Sequence, residues 1–251
     1  MNIFNITLIN ILLFFCFNSY SHNPENFIIS EIEQGILTFE NEQIQEEYNS
    51  ALKRLRIRRL KVMPMHKKFF IFTKSGFEHI LPKGLDHILF VLGLFFSCIK
   101  FRSLLIHVTA FTAAHSITLI LAGQGLIQIP ASIVEPLIAL SIVWVAVENF
   151  LFNQPNKWRP LLIFLFGLLH GLGFASVLNY YGLPKENFIS LLLAFNIGVE
   201  IGQLTVLIVA FFIVNVIFRT NSKNKKIRIP ISVLISLIGA YWFIERVYPL
   251  L

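Results

Sequence analysis

Residues 188–218 read FISLLLAFNIGVEIGQLTVLIVAFFIVNVIF, and Glu200 is the sole charged side chain in that run. About 20 apolar residues at about 1.5 Å each carry a helix across roughly 30 Å of hydrocarbon, so this stretch crosses with length to spare and must tilt or project. Five more apolar segments, near 85–99, 104–122, 131–152, 160–180 and 229–246, repeat the pattern. The chain therefore reads as an all-α polytopic membrane protein, a bundle of about six transmembrane helices. The first segment is short for a crossing unless its helix begins before Asp86.

Composition excludes a soluble domain: 55% of residues are hydrophobic, 14% are charged and the mean hydropathy is +0.69. The net charge of +7 does not point to nucleic acid, because the basic residues cluster in one N-terminal stretch and in short loops between apolar runs. Cys16 and Cys98 are the only cysteines, which leaves no disulfide framework and no thiolate site. A metal site in this chain must use nitrogen and oxygen ligands.

Residues 1–21 are expected to be a signal peptide, with a short apolar stretch followed by Ser19-Tyr20-Ser21. Residues 22–75 form a short exported polar region, acidic then basic, with candidate strands at 27–29 and 35–39. Residues 76–251 form the six-helix domain. Lys100 and Arg102, then Lys157 and Arg159, then Arg219, Lys223, Lys225, Lys226 and Arg228 follow alternate segments, which puts those loops in the cytoplasm. The reading is a multi-pass protein of the cell (inner) membrane, with residues 22–75 and the C-terminus outside. The basic residues between Lys53 and Lys74 argue the other way, but a leading signal carries such a segment across.

Asp86 is the only aspartate of the chain, next to His87 in Gly76-Phe-Glu-His79-Ile-Leu-Pro-Lys-Gly-Leu-Asp86-His87. Ionisable side chains at membrane depth cost roughly 2.5–3.5 kcal/mol each, so several in one chain need a shared purpose. Divalent-metal handling is the simplest. Pro82 and Gly84 break the helix between His79 and Asp86, so a short outer segment carrying Glu78 and His79 is expected to turn back onto the first helix. Asp86 then stands at the outer mouth of the path.

Deeper candidates are His115, with Ser116 beside it, and His170 among glycines. Glu200 follows, sharing one helical face with Asn196 and Gln203. His107 reads equally as an interfacial histidine. Glu135 and Glu148 lie near opposite ends of one segment and divide between ion path and structure. Imidazole and carboxylate ligands suit nickel, cobalt or zinc without choosing among them.

At five stretches the chain resembles the HupE/UreJ family, in its branch with an exported N-terminal region. They are His79-Ile-Leu…Gly84-Leu-Asp86-His87-Ile-Leu-Phe90, Phe111-Thr-Ala-Ala-His115-Ser116, Val134-Glu135-Pro136…Glu148-Asn149, Phe166-Gly-Leu-Leu-His170-Gly171 and Phe195-Asn196…Glu200-Ile-Gly202-Gln203. The resemblance implies nickel or cobalt uptake, with the family's His and Asp-His motif falling on His79, Asp86 and His87.

The expectation is thus a permease rather than an enzyme. It has no permanent cofactor; the metal ion is its substrate. Lipid bilayer and metal ion are its partners, with a second copy of the chain or metalloenzyme maturation proteins as further candidates. The competing readings are an intramembrane metal-dependent hydrolase using His115, His170 and Asp86 or Glu200, and a non-transporting membrane accessory or assembly protein.

Overall fold

The computed structural model describes residues 41–97, 100–152, 157–181, 187–217, 219–220 and 224–248. The expected signal segment and the two candidate strands lie outside them. The described residues form helices only: α1 (Glu42–Val62), α2 (Met65–Ile80), α3 (Leu85–Phe95), α4 (Phe101–Gly123), α5 (Ala131–Leu151), α6 (Arg159–Tyr181), α7 (Phe188–Phe211, continuing as π-helix through Ile217) and α8 (Lys225–Val247). Four of them are long and apolar enough to cross a membrane: α4, α5, α7 with its extension, and α8. The protein is a multi-pass membrane protein.

Three helix pairs make the bundle: α4 with α6, α2 with α7, and α5 with α8. The first two are parallel and glycine-mediated. A Cβ on Gly167 would strike the Phe111 carbonyl at 2.5 Å, and one on Gly171 the His115 carbonyl at 2.3 Å. Between α2 and α7, Gly76 faces the Phe195 carbonyl and Gly198 the Thr73 carbonyl, where a Cβ would fall at 1.8 and 1.9 Å. Absent side chains let these backbones touch, and in a membrane such close packing is a main source of helix association. The pair α5–α8 is antiparallel, with Asn149 donating to Ser232 Oγ at 3.3 Å at one end and Arg246 to the Glu135 carbonyl at 3.0 Å at the other.

The outer segment differs from the expectation in length and depth. The helix carrying His79 is not a short re-entrant piece but starts at Met65, and it runs alongside α7 until Ile80 reaches Gly202. After the turn at 81–84, α3 proceeds to Gly93, whose carbonyl accepts from Asn149 Nδ2 at 2.8 Å near the end of α5. Helices α2 and α3 are therefore successive halves of one interrupted path through the bundle. Gly84 is needed at the break, since a Cβ there would meet the His79 carbonyl at 2.2 Å. Asp86 consequently does not mark an outer mouth. It lies halfway along the bundle, beside the middle of α4 and α6.

Candidate metal centre

Four histidines and Asp86 meet at the break. His79 closes α2, Asp86 and His87 open α3, His115 comes from α4 and His170 from α6. The His87 ring centre lies 4.7 Å from that of His79, 5.8 Å from His115 and 4.8 Å from His170. Two overlapping sets, His79 with His87 and His115, and Asp86 with His87 and His170, each place their ligand atoms within 4.8 Å of one another. All five residues are buried.

The hydrogen bonds around the cluster fix which nitrogens face inward. His87 Nδ1 lies 3.0 Å from the Asp86 carboxylate, so Nδ1 carries the proton and donates. Asn196 uses its amide nitrogen on the Leu192 carbonyl at 2.9 Å, which leaves Oδ1 to accept from His115 Nδ1 at 3.2 Å. Ser141 spends its hydroxyl proton on the Ile138 carbonyl at 2.6 Å, so its oxygen accepts from His170 Nε2 at 3.2 Å. The opposite nitrogens, Nε2 of His87 and of His115 and Nδ1 of His170, are buried and find no hydrogen-bond partner among the described residues. Three imidazoles thus each present a lone pair while an outer-shell group holds the other edge, the arrangement by which proteins orient metal-binding histidines.

The surroundings are aromatic. Phe174 and Phe195 lie 4.4 and 5.6 Å from the His79 ring, and Phe111 and Phe90 lie 4.9 and 5.4 Å from the His170 ring. A carboxylate survives in such a place because α3 begins there: Asp86 Oδ1 also accepts the His87 backbone N–H at 2.9 Å, one of the free amides of a helix start.

The remaining candidates stand elsewhere. Glu200 belongs to neither set; Thr109 donates to its Oε1 at 2.6 Å across the α4–α7 contact, and its Oε2 has no hydrogen-bond partner among the described residues. Thr112 donates to Gln203 Oε1 at 2.9 Å on the same contact. Asn196, Glu200 and Gln203 therefore all turn toward α4, as their shared face requires, but only Asn196 touches the cluster. Ser116 donates to the Thr112 carbonyl of its own helix at 2.7 Å. His107 Nδ1 faces the Ser103 carbonyl at 2.6 Å. Glu148 forms a buried ion pair with Arg159 at 3.1 Å, and Glu135 faces Arg246 at 4.0 Å, so both glutamates serve helix ends.

Sequence reasoning missed Ser141 and the phenylalanine shell. The signal for Ser141 was slight, a lone hydroxyl in the apolar run Leu140-Ser141-Ile142; a phenylalanine among 26 carries none.

No curated protein and no solved structure matches this chain significantly. A family model described as HupE / UreJ protein matches residues 55–246, a span that starts within α1, covers the interrupted path and all five cluster residues, and ends in α8. By that match the chain belongs to the HupE/UreJ family.

Proposed function

We propose that this protein is a membrane permease for a divalent transition-metal cation, nickel or cobalt, which passes through the five-residue cluster at the break between α2 and α3. The observation that carries the reading is the trio of inward lone pairs on His87, His115 and His170, each secured by Asp86, Asn196 or Ser141. A polar network built only to join helices satisfies its own atoms. This one leaves buried lone pairs unspent in two overlapping ligand sets that share His87. Membership of a family associated with nickel and cobalt transport supports the same conclusion.

On this reading α2 and α3 together make one interrupted crossing, and with α4, α5, α6, α7 and α8 they complete six. The basic loops after α3, α5 and α7 face the cytoplasm. Interrupted helices are a recurring way to expose ligands at the middle of a transport path. A divalent ion gains roughly 4.6 kcal/mol per 100 mV of membrane potential, enough to support inward movement.

The convergence of three ligands also favours a second reading, a hydrolytic zinc. Such a metal keeps an open position for water, whereas four phenylalanines enclose this cluster. Proteoliposomes loaded with a metal-sensitive dye separate the two. Wild-type protein should admit Ni²⁺ or Co²⁺, and Asp86→Asn, which removes the carboxylate charge while leaving an amide oxygen to accept from His87, should lower the rate at least tenfold. Absence of flux for every divalent metal tried, in protein that is monodisperse and folded, would sink the permease.

A further inference from the structure

Helix α1 takes no part in the cluster, and its surface has a pattern of its own. Ile44, Leu55 and Val62 are 49%, 58% and 81% exposed. Their spacings of 11 and 18 residues bring them within about 20° of one line along the helix. Around Leu55 and Val62, Arg54, Arg58 and Lys61 flank that line on one side and Arg59 on the other, all four exposed, while Glu47 is the exposed flanking charge nearest Ile44. The opposite side, with Leu60 and Arg56, is the buried one, and α1 leans on α6. An apolar stripe bordered by long cationic side chains is the make-up of a helix lying in the headgroup layer, where arginine and lysine stems follow the apolar surface and their charges reach phosphate.

The position of α1 agrees. Thr73 of α2 lies against Gly198 of α7, and Met65 stands eight residues earlier, about 12 Å nearer the end of the bundle where α7 begins. Only Met63 and Pro64 separate α1 from that end. The C-terminal end of α1 is thereby held close to the end of the bundle where α7 begins.

We infer that α1 is an interfacial helix that docks on anionic phospholipid headgroups, its Ile44–Leu55–Val62 stripe in the lipid and Arg54, Arg58, Arg59 and Lys61 on the phosphates. Charge selects lipid over a second copy of the chain, because two such faces would bring arginine against arginine. Each basic residue near an anionic surface adds to the attraction, and the effect weakens with salt.

The test uses the full chain with Cys16 and Cys98 replaced by serine and an environment-sensitive fluorophore on Leu55→Cys or Val62→Cys. It is reconstituted in phosphatidylcholine alone or with added phosphatidylglycerol, each bilayer doped with a lipid carrying a shallow nitroxide quencher. Quenching should be at least twofold stronger in the anionic bilayer. It should fall to the phosphatidylcholine level when Arg54, Arg58, Arg59 and Lys61 are changed to glutamine, and in unmodified protein when salt is raised to 1 M. Equal quenching in both bilayers, no quenching in either, or fluorophore contact between copies would overturn the inference. None of these readouts depends on metal transport.

Discussion

His87, His115 and His170 each have a hydrogen-bonding partner on one edge of the ring, and the partners differ in kind. Asp86 is charged; Asn196 and Ser141 are neutral acceptors whose own donors are already committed to the Leu192 and Ile138 carbonyls. Changing such a partner typically lowers metal affinity 10–100-fold without touching a ligand. Asn196→Leu should therefore weaken Ni²⁺ binding about 10–100-fold in equilibrium dialysis, because the His115 tautomer is no longer held. Ser116→Ala serves as the contrast. Its hydroxyl only returns to the Thr112 carbonyl one turn back, so affinity should stay within about twofold of wild type. A large loss in Ser116→Ala, or none in Asn196→Leu, would mean that the lone pairs are not the ligands. The buried Glu148–Arg159 pair follows a different logic. Removing one partner of a buried ion pair typically costs about 3–5 kcal/mol, so Glu148→Gln should lower the melting temperature in detergent without altering metal affinity.

Among the elements, the interrupted path was only half legible. Apolar runs announced α4 to α8 within a few residues of their ends, because hydropathy is what a crossing helix must have. Residues 65–75 did not announce themselves. Lys67, Lys68 and Lys74 dilute the apolar signal there, and the helix is held instead by backbone contact at Gly76 and Gly198, which hydropathy does not register. Pro82 and Gly84 marked the break correctly, but the start of the apolar run at Leu85 suggested an end of the bundle, whereas it lies halfway along it, beside His115 and His170. Gly198→Val tests the contact that corrects this. Its added carbons would enter the Thr73 carbonyl, a backbone atom that cannot swing aside, so α2 must part from α7. We expect loss of metal binding with retained α4–α6 packing, read as selective proteolysis within α2. Unchanged protease resistance would show that the two helices are joined by something other than this close approach.

Across the molecule, the outward faces present one contrast that bears on how ions reach the break. Ile106 and Ile117 on α4, Leu137 and Leu140 on α5, and Ile197 and Ile201 on α7 are exposed and apolar, as a lipid-facing surface should be. At similar depth on α2 and its turn, Glu78 lies 3.8 Å from Lys74 and 3.7 Å from Lys83, with side-chain exposures of 28%, 40% and 36%. Charges halfway through a bilayer are rarely left to hydrocarbon; they face protein or water. The pairing also offsets the Lys83 charge with that of Glu78 close to the cluster. These three side chains are expected to face the side on which water approaches the break. In proteoliposomes, cysteines placed at Lys74 and Lys83 should react with a membrane-impermeant thiol reagent at least tenfold faster than cysteines at Ile197 and Ile201. Equal, slow reaction at all four would place the charges against protein, and the route to His79 and Asp86 would then have to be sought along another face of the bundle.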